Sequence, residues 1–151
     1  SHKRRPAPLG GLPGGDCGLL SQSSELFATL TTRESVIFAY RMRGRSMRDA
    51  NALADAALRR FGLFEIAHRR VGDSAKRDGA AVSGGERRRL CVAIELALCS
   101  SPDPPKLCAC DEPTSALDSV SAETVVRTLR NYARDKHVAC VASLHQPSSR
   151  I

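Results

Sequence analysis

The sequence predicts an α/β fold in which parallel strands are separated by helices. Two short apolar runs bounded by chain breakers, 107–110 and 138–144, are typical of buried strands. A clear helical stripe lies between them, so the last third of the chain is predicted to be strand, helix, strand. Two parallel strands joined in this way need a right-handed crossover connection. Capping-box spacings at Thr31 and Ser83 predict further helices before this unit.

The first part of the chain is less regular. Residues 1–18 are rich in Pro, Gly and Arg without periodicity, so they are predicted to be an irregular or disordered basic lead-in. Residues 19–30 favour the end of a strand followed by a loop. A first helix should follow the capping box at Thr31 and run through Arg43, since Gly44 is a natural terminator.

Three more helices are predicted from apolar spacing and caps. The second spans about 47–61 and ends at Gly62, the third opens at 83–86, and the fourth is capped by Asp118 or Ser119. The residues expected to face the core are, helix by helix, Val36, Ile37 and Tyr40; Met47, Ala50, Ala54, Ala57, Leu58 and Phe61; Leu90, Ile94, Ala97 and Leu98; and Ala122, Val125, Val126, Leu129, Tyr132 and Ala133.

Composition excludes several classes of protein. The chain has 151 residues, of which 42% are hydrophobic and 26% charged, as expected for one soluble globular domain rather than a fibrous or disordered chain. It contains no apolar run of membrane-spanning length and no signal peptide. The net charge of +7 comes largely from scattered Arg pairs. These favour solvated helix faces, then a phosphate-bearing ligand, and nucleic-acid binding is not expected.

The six cysteines are interpreted as reduced thiols. Five lie inside apolar helix or strand patterns, where Cys behaves as a small core residue. Cys108 and Cys110 are two apart on a predicted strand, so both should point to one face, an arrangement that does not favour a disulfide. The paired Cys-x-x-Cys spacing of zinc sites is absent.

Polar residues that follow the two predicted strands indicate a site. Asp111 and Glu112 follow the first strand and His145 follows the second. Because ligands bind beyond the carboxyl ends of strands in open α/β sheets, all three should lie at one functional edge. Asp111 can hold Mg²⁺ and Glu112 can act as a general base on water. Taken alone, Asp-Glu-Pro is also good turn chemistry.

A second candidate is the predicted helix start at Ser83-Gly84-Gly85. Two glycines let a ligand approach the backbone, and the exposed amides of a helix start favour an anion. An ordinary helix cap is the alternative interpretation. Gln22 is a further candidate, but taken alone it does not indicate a function.

Together these segments resemble ATP-binding cassette (ABC) proteins. Residues 82–89, VSGGERRR, resemble the signature motif. Residues 107–112, LCACDE, resemble the Walker B strand, and 113–119, PTSALDS, the D-loop. Residues 143–149, SLHQPSS, resemble the switch-histidine segment, and 22–43, with TLTTRES inside, the Gln loop and its following helix. The residues of the signature motif and of the switch-histidine segment are similar to those of the G-type subfamily of white/scarlet and sterol transporters.

The resemblance covers about 19–151 and implies a partial nucleotide-binding domain with the P-loop NTPase fold. On this interpretation 19–100 hold the Gln loop, the helical subdomain and the signature helix. Residues 101–151 hold the Walker B strand, the D-loop and the switch histidine of the parallel-sheet core.

The resemblance also implies roles around ATP and Mg²⁺. Asp111 would help to place the metal, Glu112 would polarise the attacking water, and His145 would sense the γ-phosphate. Gln22 would reach the metal and the water and couple the site to a transmembrane domain.

The signature and the D-loop would act across a dimer. Ser83, Gly84 and Gly85, with Glu86 in the same motif, would bind the nucleotide held by the opposite subunit. Asp118 would lie at the dimer seam.

Two departures qualify the resemblance. The phosphate loop G-x-x-x-x-G-K-[ST] (Walker A) is absent, and the glycine-rich stretch 10–16 has no Lys or Ser/Thr at the needed place. An excerpt or a broken gene model lacking the first lobe is favoured over a degenerate cassette. Ser23 and Ser24 stand where G-type relatives carry acidic residues.

The resulting prediction is ATP hydrolysis that drives transport of a lipid, a sterol or another hydrophobic substrate, with this chain alone inactive. The expected partners are a second nucleotide-binding domain, in a homo- or heterodimer, and the transmembrane domain of the same transporter, which holds the domain at the cytoplasmic side of a membrane. Two alternatives stay open: a degenerate, non-catalytic cassette that acts as a dimer partner, and an ABC ATPase that is not a transporter.

Overall fold

The computed structural model describes residues 17–20, 26–72, 82–99 and 105–144. In chain order the strands and α-helices of these ranges are β1 (Cys17–Leu20), α1 (Thr32–Met42), α2 (Met47–Arg60), α3 (Gly84–Cys99), β2 (Leu107–Cys110), α4 (Ser119–Lys136) and β3 (Ala139–Ala142). A short 3-10 helix, Phe64–Ile66, follows α2.

The described strands form one parallel sheet in the order β1-β2-β3. Cys17 and Ala139 both pair with Leu107, and Leu20 and Ala142 both pair with Cys110, so the three strands end at one edge. The predicted α/β class and the parallel strand, helix, strand unit are therefore confirmed. Helix α4 is the crossover between β2 and β3.

Two strand predictions need correction. Cys17 and Gly18 lie in β1, not in an irregular lead-in, because their backbones pair with β2, while 1–16 lie outside the described residues. Strand β3 is shorter than predicted and is not buried, since Ala139, Val141 and Ala142 are exposed. The reason is its position: within the described ranges β3 is an outer strand.

Helices α1, α3 and α4 begin where the predicted caps place them, and Ser46 caps α2. Thr31 and Glu34 form a complete capping box at α1, and Asp118, rather than Ser119, caps α4. Most residues predicted to face the core are buried or half-buried. Met47 was predicted wrongly: it is the first residue of α2 and its side chain is 58% exposed.

The core lies between the helices and one face of the sheet. Helices α1, α2 and α3 pack together, and Val36, Leu58 and Leu90 are completely buried. Helix α3 is buried over more of its surface than its predicted apolar face, because it also packs against β1 and α4. This placement fixes the start of α3 beside the end of β2.

Four of the cysteines are buried: Cys91, Cys99, Cys108 and Cys110. Cys140 is half-buried and Cys17 is exposed. All six are free thiols, as predicted, and Cys108 and Cys110 share the buried face of β2. Hydrogen bonds with Cys110 and Cys99, together with burial, raise the pKa of the Cys108 thiol, which therefore stays protonated.

Candidate functional site

The turn after β2 carries Asp111 and Glu112 at the edge where the strands end. The Asp111 backbone N–H donates to the Leu20 carbonyl at 2.8 Å, and the Ser143 N–H donates to the Cys110 carbonyl at 3.0 Å. These bonds extend the ladders on both sides of β2 by one step. The backbone that carries the exposed Asp111 side chain is thus fixed by the neighbouring strands.

Ser143, just beyond β3, links the two acidic residues. Its hydroxyl donates to Asp111 Oδ1 at 2.9 Å and accepts from the Glu112 backbone N–H at 2.9 Å. One side chain therefore orients the Asp111 carboxylate and fixes the backbone of Glu112. The crossover through α4 is what brings Ser143 to this place.

Glu112 has an uncommon backbone conformation. Its φ of +43° lies in the left-handed region, which a residue with a Cβ atom adopts only when its surroundings impose it. Here its N–H is held by Ser143, and its carbonyl accepts from the Ser115 N–H at 3.0 Å. These two bonds hold the backbone of Glu112 in this conformation.

Arg88 of α3 ties the acidic turn to the signature helix. Its guanidinium donates to the carbonyl of Glu112 at 2.6 Å and to that of Asp111 at 3.1 Å. The residue is only 8% exposed. Charge-assisted hydrogen bonds of this kind are stronger than neutral ones, so the start of α3 and the turn after β2 form one unit.

The start of α3 is open to solvent. The Ser83 hydroxyl accepts from the Glu86 N–H at 3.3 Å, and Glu86 Oε2 accepts from the Ser83 N–H at 2.8 Å, which completes a capping box. Ser83 and Gly84 are exposed, and a Cβ atom on Gly84 would meet nothing within 4 Å. The predicted exposed helix start is confirmed, and an anion can approach it.

The Glu86 carboxyl balances two opposing effects. Burial raises its pKa, but the hydrogen bonds with Ser83 and the charges of Arg69 and Arg89 outweigh this effect. The resulting pKa lies below its ordinary value, so Glu86 is ionised at neutral pH. An ionised Glu86 keeps the capping box closed.

Asp118 lies where the D-loop meets α4. Its Oδ1 accepts from the N–H groups of Ser121, at 3.0 Å, and Val120, at 3.1 Å. Hydrogen bonds from Ser121 lower the pKa of this carboxyl. The Ser121 hydroxyl also accepts from the Arg89 guanidinium, so α3 holds the start of α4 as well as the acidic turn.

The structure therefore brings together Asp111, Glu112, the start of α3 and, through Arg89, the start of α4. Gln22 and His145 lie outside the described residues. Strands β1 and β3 end at Leu20 and Ala142, at the same edge as β2.

Two residues that shape the site were not predicted from the sequence. Arg88 stands in a run of three arginines, and the signal that marks it is its spacing to the apolar Val92 and Cys99, which places it on the buried side of α3. Ser143 belongs to the segment that resembles the switch-histidine motif. Its position in the sequence gives no indication of a hydrogen bond to Asp111.

The donor set suits a hard cation held mainly by other ligands. Asp111 offers carboxylate oxygens at an exposed edge, and Mg²⁺ keeps several waters or phosphate oxygens when few carboxylates bind it. In the described ranges no group of three or more His, Cys, Asp and Glu side chains could enclose a metal ion. The residues present therefore fit a metal that arrives with a phosphate ligand.

Comparison with known proteins adds an independent finding. The profile of the ABC transporter family matches residues 11–115. The chain is 36% identical over 140 residues to ABC transporter G family member 11 of Arabidopsis thaliana, an alignment that covers 91% of this chain and 19% of that protein. It is 37% identical over 137 residues to member 25 of the same plant, covering 89% and 20%.

A third relative is ABC transporter G family member STR2 of Medicago truncatula. It is 35% identical over 134 residues, which cover 87% of this chain and 17% of that protein. The chain thus spans about a fifth of the length of the curated relatives that it matches. In the part of the chain that is described, no helix combines the length and apolar character needed to cross a bilayer.

Proposed function

Because the chain belongs to the ABC transporter family, with its similarity to G-type nucleotide-binding domains, we propose that its acidic turn serves the hydrolysis of ATP. The observation that carries this proposal is the unit built by Arg88, in which the start of the signature helix is bonded to the carbonyls of Asp111 and Glu112. Positioning is most of the catalysis in phosphoryl transfer, and a fixed acidic turn at an exposed sheet edge supports it.

The two carboxylates have separate roles in this proposal. Asp111, oriented by Ser143, holds Mg²⁺ directly or through water, and the metal supplies charge neutralisation at the phosphates. Glu112 accepts a proton from the attacking water. Gln22 and His145 complete the metal and γ-phosphate contacts, by resemblance to the family.

The start of α3 acts on a nucleotide held by another subunit. Gly84 and Gly85 present backbone N–H groups and Ser83 its hydroxyl to the γ-phosphate, while Glu86 keeps the cap closed through the Ser83 N–H. Exposure of Ser83 and Gly84 leaves room for a ligand that comes from outside this chain. Asp118 lies at the seam of this head-to-tail dimer.

The whole protein uses this ATPase to move a lipid, a sterol or another hydrophobic compound across a membrane. Its partners are a second nucleotide-binding domain and a transmembrane domain, and the chain lies on the cytoplasmic side. The names of the G family relatives support the transporter assignment.

These 151 residues alone do not hydrolyse ATP at a meaningful rate, because they lack the G-x-x-x-x-G-K-[ST] loop. That loop supplies the backbone N–H cradle, the Lys at the β- and γ-phosphates and the Ser/Thr ligand of the metal. We place the loop elsewhere in the complete protein.

Glu112→Gln in the complete protein tests the proposal. The amide keeps the size of the side chain but accepts no proton, so ATP binding is retained while turnover falls by about 10²-fold or more. Binding is measured with a fluorescent ATP analogue and turnover by phosphate release. Glu123→Gln, an exposed residue of α4, is the matched control and keeps full turnover. Undiminished hydrolysis in Glu112→Gln contradicts the role of general base.

A further inference from the structure

A cleft beside the second half of α4 is lined mainly by arginines. It has a volume of about 360 Å³ and lies between the end of α2 and the middle and end of α4. We name it the arginine cleft. Its lining residues are Arg59, Arg60, Arg127, Thr128, Asn131, Arg134 and Asp135. It begins roughly 10 Å along α4 from Ser121, because a helix rises 1.5 Å per residue, and shares no residue with the proposed ATP site.

The cleft holds four guanidinium groups and one carboxylate, which leaves an excess of three positive charges. The ion pair between Arg134 and Asp135 is long, at 3.4 Å, and both side chains are exposed, so it neutralises little. Arg59 is held over the Phe64 ring, 3.5 Å from its centroid, which orients its guanidinium. The Asp55 carboxylate, which also pairs with Arg33, offsets part of the Arg59 charge.

Helix-end electrostatics explain only part of this charge. Arg59, Arg60 and Arg134 lie in the last turns of their helices, where a cation is favourable beside the carbonyl ends. Arg127 lies in the middle of α4, where that effect does not reach. It adds a positive charge to a surface that is already basic. A bound anion would relieve this repulsion, and guanidinium groups match phosphate oxygens in a bidentate way.

The polar groups that lie beside the arginines indicate more than a bare inorganic anion. Asn131 Oδ1 and Asp135 Oδ1 accept from the Arg134 guanidinium, which leaves the Asn131 amide N–H groups and the second Asp135 oxygen as partners for hydroxyl groups. The Thr128 hydroxyl donates to the Thr124 carbonyl and still has acceptor capacity. A second cleft of about 260 Å³ adjoins it and shares Arg60, Thr128 and Asp135. The additional space accommodates the organic body of a ligand.

From this arrangement we propose that the arginine cleft binds a polyol or sugar that carries at least two phosphate groups. The ligand is either free or the headgroup of a lipid, since both present the same chemistry. Single-stranded nucleic acid is disfavoured, because it needs aromatic stacking platforms: none of the seven residues that line the arginine cleft is aromatic, and the aromatic residues of the adjoining cleft, Tyr40, Phe61 and Tyr132, are buried. The proposal is independent of the ATPase assignment.

Calorimetric titration of the full chain with inositol hexakisphosphate, at about 0.15 M salt, tests the cleft. The double variant Arg60→Gln, Arg127→Gln should bind at least 10-fold more weakly than the wild type. The control is Arg43→Gln, Arg48→Gln, which removes the same charge from exposed positions that line neither cleft. The control should stay within about twofold of the wild type, since long-range attraction is matched in the two variants.

Three outcomes overturn the proposal: no binding by the wild type, equal weakening in both double variants, or displacement of the ligand by a short RNA duplex at lower concentration than by free inositol phosphate. Thermal unfolding of both variants confirms that they fold, as expected for exposed side chains. Co-sedimentation with vesicles that contain 5% phosphatidylinositol bisphosphate, compared with phosphatidylserine vesicles of equal charge, distinguishes the sources. Binding selective for the bisphosphate vesicles supports a lipid headgroup, and binding to free inositol phosphate alone supports a soluble ligand.

Discussion

Single side chains hold the acidic turn in a conformation that its own sequence disfavours. Glu112 adopts a φ of +43° because Ser143 bonds its N–H, while Ser115 and Arg88 bond its carbonyl. The backbone strain is confined to Glu112, and the hydrogen bonds that compensate for it come from α3 and from the residue that follows β3. Arg88 and Ser143, which are far from Glu112 in sequence, thereby fix the backbone that carries the Glu112 side chain.

At this scale, Arg88→Met is expected to lower the free energy of unfolding by about 1–3 kcal/mol. Methionine fills similar space but leaves the carbonyls of Asp111 and Glu112 without the guanidinium that bonds them. Urea denaturation measures the change. Arg87→Met is the matched control, because Arg87 is exposed, and it should change stability by less than about 0.5 kcal/mol. Equal effects in the two variants would show that Arg88 does not support the turn.

Gly18 is a second position at which a single added side-chain atom is expected to change stability. A Cβ atom there would lie 2.6 Å from Cys99 Sγ and 3.3 Å from Pro105 Cγ. Gly18→Ala should therefore destabilise the protein by about 1–3 kcal/mol, as overpacking does. In a Cys99→Ala background, which removes the sulfur, the same substitution should cost less than half as much. A double-mutant cycle measured by urea denaturation tests whether Gly18→Ala clashes with the Cys99 sulfur. If the free-energy changes of the two substitutions simply add, there is no such clash.

At the scale of elements, side-chain caps determine where helices begin. Thr31, Ser46 and Asp118 cap α1, α2 and α4, and Ser83 caps α3 with Glu86. Each cap satisfies backbone N–H groups that the first turn leaves without a partner. The cap of α3 uses the N–H groups of Ser83 and Glu86, and the segment between them, Gly84 and Gly85, is the one proposed to meet phosphate, so the cap positions that segment.

The Asp118 cap predicts a dependence on pH. Hydrogen bonds from Ser121 lower the pKa of this carboxyl in the folded state. A depressed pKa contributes stability above the ordinary pKa of Asp, near 4, and this contribution is lost as the pH falls through the folded value. Asp118→Asn should therefore be less stable than the wild type at pH 7, and the difference should shrink below about pH 4. Thermal unfolding at a series of pH values from 7 to 3 measures the stability difference between the variant and the wild type. A difference that does not change with pH would refute the role assigned to the Asp118 carboxylate.

At the scale of the whole molecule, the described sheet is covered unevenly. Strand β2 lies between two neighbours and its cysteines are buried, whereas Leu19 of β1 is 67% exposed and Val141 of β3 is 63% exposed. Apolar residues at the outer strands expose surface that a soluble domain ordinarily covers. The two outer strands should be the less stable parts of the sheet.

Hydrogen exchange measured by NMR checks this gradient in the full chain. Amides of β2, such as that of Ala109, should exchange at least 10-fold more slowly than those of β3 that face away from β2. Helix α3, buried on most sides, serves as the internal reference for slow exchange. Equal protection of β2 and β3 would show that β3 is covered in solution.

The sequence by itself determined the features that depend on local chemistry. Apolar periodicity, capping spacings and chain breakers predicted α1, α2, α3 and α4 within a few residues, and they predicted β2 exactly where backbone pairing places it. The ordered motifs at 82–89, 107–112, 113–119 and 143–149 together indicated the family, whose profile matches residues 11–115. These signals are readable because each involves residues within about one helical turn or one strand of each other.

Only the tertiary structure decided which distant groups meet. Pairing with β2 converted Cys17 and Gly18 from a predicted irregular segment into a strand, and it left β3 exposed where a buried strand was predicted. The bonds of Arg88 and Ser143 to the acidic turn join residues 23 to 32 positions apart. The physical reason is that such contacts are fixed by how helices pack on the sheet, and no local pattern records that packing.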